Sequence, residues 1–144
     1  MPKSKMLPLL GFLIVPLLLM SGCAGQEDTA SSNQTIEDVT LEEAFTLIED
    51  NRQNDDFIIV DLRTAGEYAE GHITKAINLD YDSETFSDEL NELDKDKIYL
   101  IYSQDDKLSG KALDIMAELG FAEVYNMLGG MASWERVRLP LEKE

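Results

Sequence analysis

A single cysteine, Cys23, and a single histidine, His72, are all that this chain offers of the two side chains most often used as nucleophile, general base and metal ligand. One cysteine excludes an intramolecular disulfide and any metal cluster built on several thiolates. Cations are scarce as well: 12 Lys and Arg stand against 29 Asp and Glu, for a formal net charge of −17. Such an excess argues against nucleic acid and anionic lipid headgroups as partners, and a solvated acidic surface is its commonest meaning. The apolar run from Met6 to Met20 is 15 residues long and is interrupted by Pro8, Gly11 and Pro16. A bilayer span needs about 20 residues, so a permanent transmembrane helix is the weaker reading. With no internal repeat and no second domain, the 144 residues leave room for one core.

What is present begins with a leader. Lys3 and Lys5 precede the apolar run, and the small residues Ser21 and Gly22 precede Cys23, the layout of a secretory signal over residues 1–22. Leu19-Met20-Ser21-Gly22-Cys23 resembles the bacterial lipobox, with Met20 where leucine is usual. The resemblance implies that Cys23 receives a diacylglyceryl group and further acylation of the palmitate type, and becomes the new N-terminus. Two or more acyl chains, at about 0.8 kcal/mol per buried methylene, hold a small protein on a membrane durably. Loss of Lys3 and Lys5 with the leader takes the net charge to −19. Residues 23–34 are small and polar and read as a lipidated cysteine with a flexible tether. The expected place is therefore outside the cytoplasm, membrane-anchored in the cell envelope.

From residue 35 to 144 apolar runs alternate with amphipathic segments. Ile36 to Val39 suits a short edge strand, and Thr40 with Glu43 predicts a capping box at the head of a helix carrying Leu41, Ala44, Phe45, Leu47 and Ile48. Phe57 to Val60 reads as a strand buried on both faces, followed by a short helix near Thr64 to Ala69 and an apolar stretch at Ala76 to Leu79. Asp82 to Leu93 suggests an acidic helix with Phe86, Leu90 and Leu93 inward, and Val124 to Met127 a last strand before the helix bearing Met131 and Trp134. Strands alternating with helices at this spacing imply a mostly parallel sheet covered on both faces.

Lys97 to Gly120 is the stretch on which function turns. Ile98 to Tyr102 reads as a strand, Ser103 to Ser109 as a polar loop, and Ala112, Leu113, Ile115, Met116 and Leu119 as the apolar face of a helix that Gly120 ends. In open α/β sheets, ligands bind beyond the carboxyl ends of the strands, near helix N-termini that favour anions. Yet this loop has no cysteine, histidine or arginine, and Asp105 and Asp106 outweigh Lys107.

Three blocks carry a family resemblance. Asp61-Leu62-Arg63, Glu67-Tyr68, Gly71-His72-Ile73 and Ala76-Ile77-Asn78-Leu79 resemble the rhodanese signature. Gly120-Phe121 and Val124 through Gly129-Gly130-Met131 to Trp134 and Leu139-Pro140 are similar to that family's closing segment, and Tyr102 to Ala112 aligns between them. The resemblance implies a single rhodanese-like α/β domain with about five mostly parallel strands and helices on both faces. Active members carry sulfane sulfur as a cysteine persulfide, in a loop whose thiolate is stabilised by amides, a helix N-terminus and cations.

Carried over position by position, the nucleophile's place falls on Ser103, with Gln104, Asp105, Asp106 and Lys107 following and Leu108 where the loop arginine would stand. Related phosphatases use a loop one residue longer, and that register gives Ser109. A hydroxyl cannot form the persulfide and is a poor nucleophile without a base. Asp61, Arg63, Glu67, Gly71, His72, Asn78, Gly129, Gly130 and Trp134 match positions that the resemblance makes architectural. Arg63 with Glu67, at i, i+4, is expected to form a structural ion pair, and His72 to pack through hydrogen bonds. Met127, Met131 and Trp134 are expected in the core, and Arg138 stands where the family often has glycine. The expectation is a membrane-tethered binding or scaffolding module without sulfurtransferase chemistry, with no cofactor, no metal and an envelope protein as partner. The alternative is an anion-processing enzyme on the Ser103 loop, with Lys107 or Lys111 supplying charge.

Overall fold

A computed structural model describes residues 33–144. The leader, Cys23 and most of the tether lie outside the described residues. Five strands and five helices alternate: β1 Thr35–Val39, α1 Leu41–Asp50, β2 Phe57–Asp61, α2 Ala65–Glu70, β3 Ile77–Asn78, α3 Phe86–Glu92, β4 Ile98–Tyr102, α4 Asp106–Glu118, β5 Glu123–Met127 and α5 Gly130–Arg136. All the pairings between these strands are parallel, in the order β1-β5-β4-β2-β3. β4 therefore lies at the centre, and β1 forms an edge.

The apolar run of β4 is explained by its two covered faces. Tyr99 and Ile101 join Val60, Leu62 and Val124 under Phe86 and Leu90 of α3 and Ala112, Leu113 and Met116 of α4. Leu100 and Tyr102 point the other way, to Ile59, Met127, Ala44 of α1 and Met131 and Trp134 of α5. Alternation with period two sends neighbouring residues to opposite cores, so a central strand must be apolar at every position. Leu100 and Ile101 are fully buried, each worth about 1.5–3 kcal/mol.

Helix ends follow local chemistry. Thr40 and Glu43 form the capping box on α1, in which the Thr40 N–H donates to Glu43 Oε2 at 2.8 Å and Glu43 N–H to Thr40 Oγ1 at 3.3 Å. The Thr40 backbone and side-chain hydrogen bonds hold the Glu43 carboxyl below its ordinary pKa. At the other end of the fold, Gly120 closes α4 at φ 83° as its N–H and that of Phe121 donate to Ala117 and Met116. The same closure ends α5, where Arg138 and Leu139 donate to Glu135 and Trp134, with Arg138 at φ 58°. Glycine at position 138 would avoid a left-handed side-chain residue, which is why this turn prefers one. Arg138→Gly is accordingly expected to raise stability by about 0.5–1 kcal/mol, the relief of left-handed strain less the added freedom of the unfolded chain. A lower urea midpoint for the variant would contradict this.

Gln34, at the end of the expected tether, already belongs to the domain: its side-chain amide donates to Ala117 O at 3.1 Å and Phe121 O at 2.9 Å.

Candidate functional site

Parallel strands bring the ends of β2 and β4 side by side, with Asp61 opposite Tyr102 in register. Ser103 leaves β4 at this edge and is wholly buried. Its hydroxyl donates to the Asp105 carbonyl and accepts the Ser109 N–H at 3.2 Å. Both partners are backbone groups. Among the described residues no base touches this hydroxyl, so it has the environment of a structural serine and not of an activated nucleophile.

The loop is shorter than its composition suggests. α4 starts at Asp106, so Lys107, Leu108 and Ser109 lie in the first helical turn instead of a cradle. Asp105 causes this: as N-cap, its Oδ1 accepts the Lys107 N–H at 2.9 Å. Asp106 accepts the Gly129 N–H. The α5 terminus completes the closure, as Met131 N–H donates to Ser103 O at 2.9 Å and Ala132 N–H to Gln104 O at 3.2 Å. Five amides around the loop, those of Lys107, Ser109, Gly129, Met131 and Ala132, are thereby occupied by the chain's own side-chain and carbonyl oxygens. Gln104 and Lys107 are exposed and Leu108 half-buried.

A second cluster lies beside the loop. Asp61 Oδ1 accepts from Arg63 N and Nε at 2.9 and 3.0 Å, and Oδ2 from Arg63 Nη2 and the Tyr102 hydroxyl at 2.7 Å each. Arg63 Nη2 also donates to Gly71 O at 2.7 Å. Burial pulls the Arg63 pKa down, but the hydrogen bonds and charge of Asp61 outweigh it and leave a net rise. Burial, then the Asp61 charge, pushes the Tyr102 phenol up.

The expected ion pair between Arg63 and Glu67 is not formed. Arg63 precedes α2 and turns back to Asp61, while Glu67 Oε2 accepts from Thr64 N and Oγ1 at 3.1 and 2.7 Å in a second capping box. The Thr64 hydroxyl lowers the Glu67 pKa. His72 is buried, its ring stacked 3.8 Å from that of Tyr68 and its Nδ1 2.8 Å from Tyr68 O. Its backbone pairs with Glu142. Gly71 is buried beside Leu141, which a Cβ would approach at 3.2 Å. The Trp134 indole donates to Pro140 O at 3.0 Å, and Met127 and Met131 are core residues.

Between the two clusters opens a cavity of about 600 Å³, lined in part by Arg63, Glu67, Glu70, Gln104, Glu135 and Lys143. Sequence reasoning missed Tyr102 as a site residue, although a tyrosine ending an apolar strand is a signal that a polar partner awaits its hydroxyl. It also missed Glu135, Lys143 and Glu144, for which no local signal exists. Among the described residues no group of His, Cys, Asp and Glu is placed to hold a metal ion, and no helix is long and apolar enough to cross a membrane.

An open parallel α/β sheet with a strand–loop–helix site at its carboxyl edge defines the class of protein. The family follows from comparison. The sequence model of the rhodanese-like domain matches residues 40–137, and the chain belongs to that family. It is 28% identical over 110 residues to the thiosulfate sulfurtransferase GlpE of Actinobacillus pleuropneumoniae, across 76% of this chain and 96% of that protein. A sulfurtransferase of Allochromatium vinosum is 31% identical over 87 residues, covering 60% and 79%. A rhodanese-like domain protein of Staphylococcus aureus superposes with a TM-score of 0.62 at 29% identity, covering 75% of this chain and 98% of that one. The domain is thus related to sulfurtransferases.

Proposed function

We propose that this rhodanese-like domain does not transfer sulfur and acts as a binding or scaffolding module, held outside the cytoplasm by a lipid on Cys23. One observation carries the first half. The residue at the nucleophile's place, Ser103, is a buried hydroxyl bonded among the described residues only to backbone groups, in a loop where Asp105 and Ser103 itself take the Lys107 and Ser109 N–H groups and Asp106 takes that of Gly129. A persulfide site needs a thiolate facing free amides and cations. The lipid is supported by the basic start, the apolar run and the small residues ahead of the single cysteine. An N-terminal peptide of the mature protein carrying acyl mass is expected, and an unacylated one would remove the anchor.

The decisive assay is thiosulfate:cyanide sulfurtransfer by the full chain in detergent. No cyanide-dependent thiocyanate above the blank is expected; turnover abolished by Ser103→Ala would refute the reading. Ser103→Cys alone should restore less than about one hundredth of a cysteine-bearing relative's rate, since loss of even one oxyanion donor costs that factor. Rescue approaching the relative's rate would show that the closed loop opens readily around a thiolate.

A further inference from the structure

The cavity beside the Ser103 loop has a charge pattern unsuited to sulfur oxyanions. Glu67, Glu70, Glu135 and Glu144 line it, with Lys143 opposing them, and among the described residues none of the four carboxylates has an ion-pair partner. Arg63 supplies an independent feature. Its side chain is only 6% exposed, Nε and Nη2 are spent on Asp61 and Gly71, and Nη1 has no hydrogen-bond partner among the described residues yet is not sealed from solvent, and Arg63 lines the cavity.

Because Asp61 already neutralises Arg63, Nη1 offers a directed donor more than a net positive charge. A ligand must therefore bring an acceptor oxygen to Nη1 and positive charge to the surrounding carboxylates. Free anions supply the first and fail the second. Simple polyamines do the reverse. A peptide bond adjoining a long basic side chain supplies both, and the cavity has room for that unit. We propose that this cavity binds a basic peptide segment of a partner protein, a main-chain carbonyl accepting from Arg63 Nη1 and a Lys or Arg side chain lying among Glu67, Glu70, Glu135 and Glu144. This rests on the binding-module reading and names the partner's chemistry.

The test uses the full chain in detergent micelles and fluorescein-labelled tetralysine, followed by anisotropy at about 0.15 M salt, where general surface attraction is screened beyond roughly 8 Å. Tetralysine should bind, and Glu70→Gln with Glu135→Gln, both at exposed positions, should weaken it about tenfold. The charge-matched pair Asp88→Asn with Asp114→Asn, exposed on α3 and α4 outside the cavity, should change it less than about twofold. Spermine, similar in charge but without an acceptor oxygen, should compete about fivefold more weakly than unlabelled tetralysine. Equal losses from both double variants, equal competition by spermine, or no tetralysine binding would each overturn the proposal. Free lysine competing as well as tetralysine would overturn the peptide assignment in favour of an amino acid. The same preparations run in the sulfurtransfer assay separate the two claims: turnover there sinks the non-catalytic reading whatever the peptide does, and absent turnover with absent binding sinks this inference alone.

Discussion

Arg63→Ala is expected to cost the domain about 3–5 kcal/mol of unfolding free energy, seen as a lower urea midpoint at unchanged slope. The size follows from what the substitution leaves behind. Asp61 is completely buried at the end of β2, and Arg63 gives it three of its four hydrogen-bond donor groups, Tyr102 the fourth. Alanine retains the backbone N–H but removes the guanidinium, so a carboxylate is stranded without its counter-charge and Gly71 O loses its donor. Were the pair on the surface, the loss would be at most about 1 kcal/mol. Arg63→Lys should fall between, because an ammonium keeps the charge but cannot span both Asp61 oxygens and Gly71 O. Tyr102→Phe should cost about 1–3 kcal/mol, since it removes a donor to Asp61 and leaves the Ile73 N–H, which meets the Tyr102 hydroxyl at 3.2 Å, without an acceptor. These losses should not add, the three residues sharing one network. A loss under 1 kcal/mol for Arg63→Ala would show that Asp61 is solvated or protonated after substitution.

Arg63 also shows where the sequence stops being informative. Local features were legible: the alternating elements, the Thr40–Glu43 box and the glycine stop at Gly120 all depend on residues within a few positions of one another. The apolar run Phe57 to Val60 was readable as a doubly covered strand because it leaves no polar position, and in β2 Ile59 and Val60 do enter opposite cores. Arg63 was assigned to Glu67 by spacing, but the i, i+4 rule holds only inside a helix, and α2 begins two residues later. Its true partner is set by the turn after β2, and the third member, Tyr102, arrives from 41 residues away. Asp105 and Asp106 were legible as charge and illegible as contacts. Their negative charge was the ground for expecting a loop poorly equipped to hold an anion. That they close it by accepting the Lys107 and Gly129 N–H groups depends on helix entry and on a turn 23 residues downstream. The cavity walls from Glu135 and Lys143 were hidden for the same reason.

That downstream turn carries the other large effect. Gly130→Ala is expected to destabilise the domain by about 2–5 kcal/mol, combining a left-handed side-chain residue with a forced contact. Gly130 has φ 50°, and a Cβ there would lie 2.3 Å from Ser103 O and 3.0 Å from the Gln104 carbonyl group. These are backbone atoms, which cannot swing aside as a flexible side-chain tip can. The contact is close because Met131 N–H and Ala132 N–H hydrogen-bond to those same two carbonyls, so moving α5 away to admit a methyl group would break both bonds. Gly110→Ala is the fitting control. Gly110 lies inside α4, and a Cβ there meets nothing within 4 Å, so alanine should add about 0.5–1 kcal/mol through helix propensity alone. Opposite signs for the two substitutions in urea unfolding would show that the Ser103 loop is clamped by α5. A Gly130→Ala protein as stable as the parent would mean that the loop yields to α5, and that the closed geometry around Ser103 can be opened at little cost.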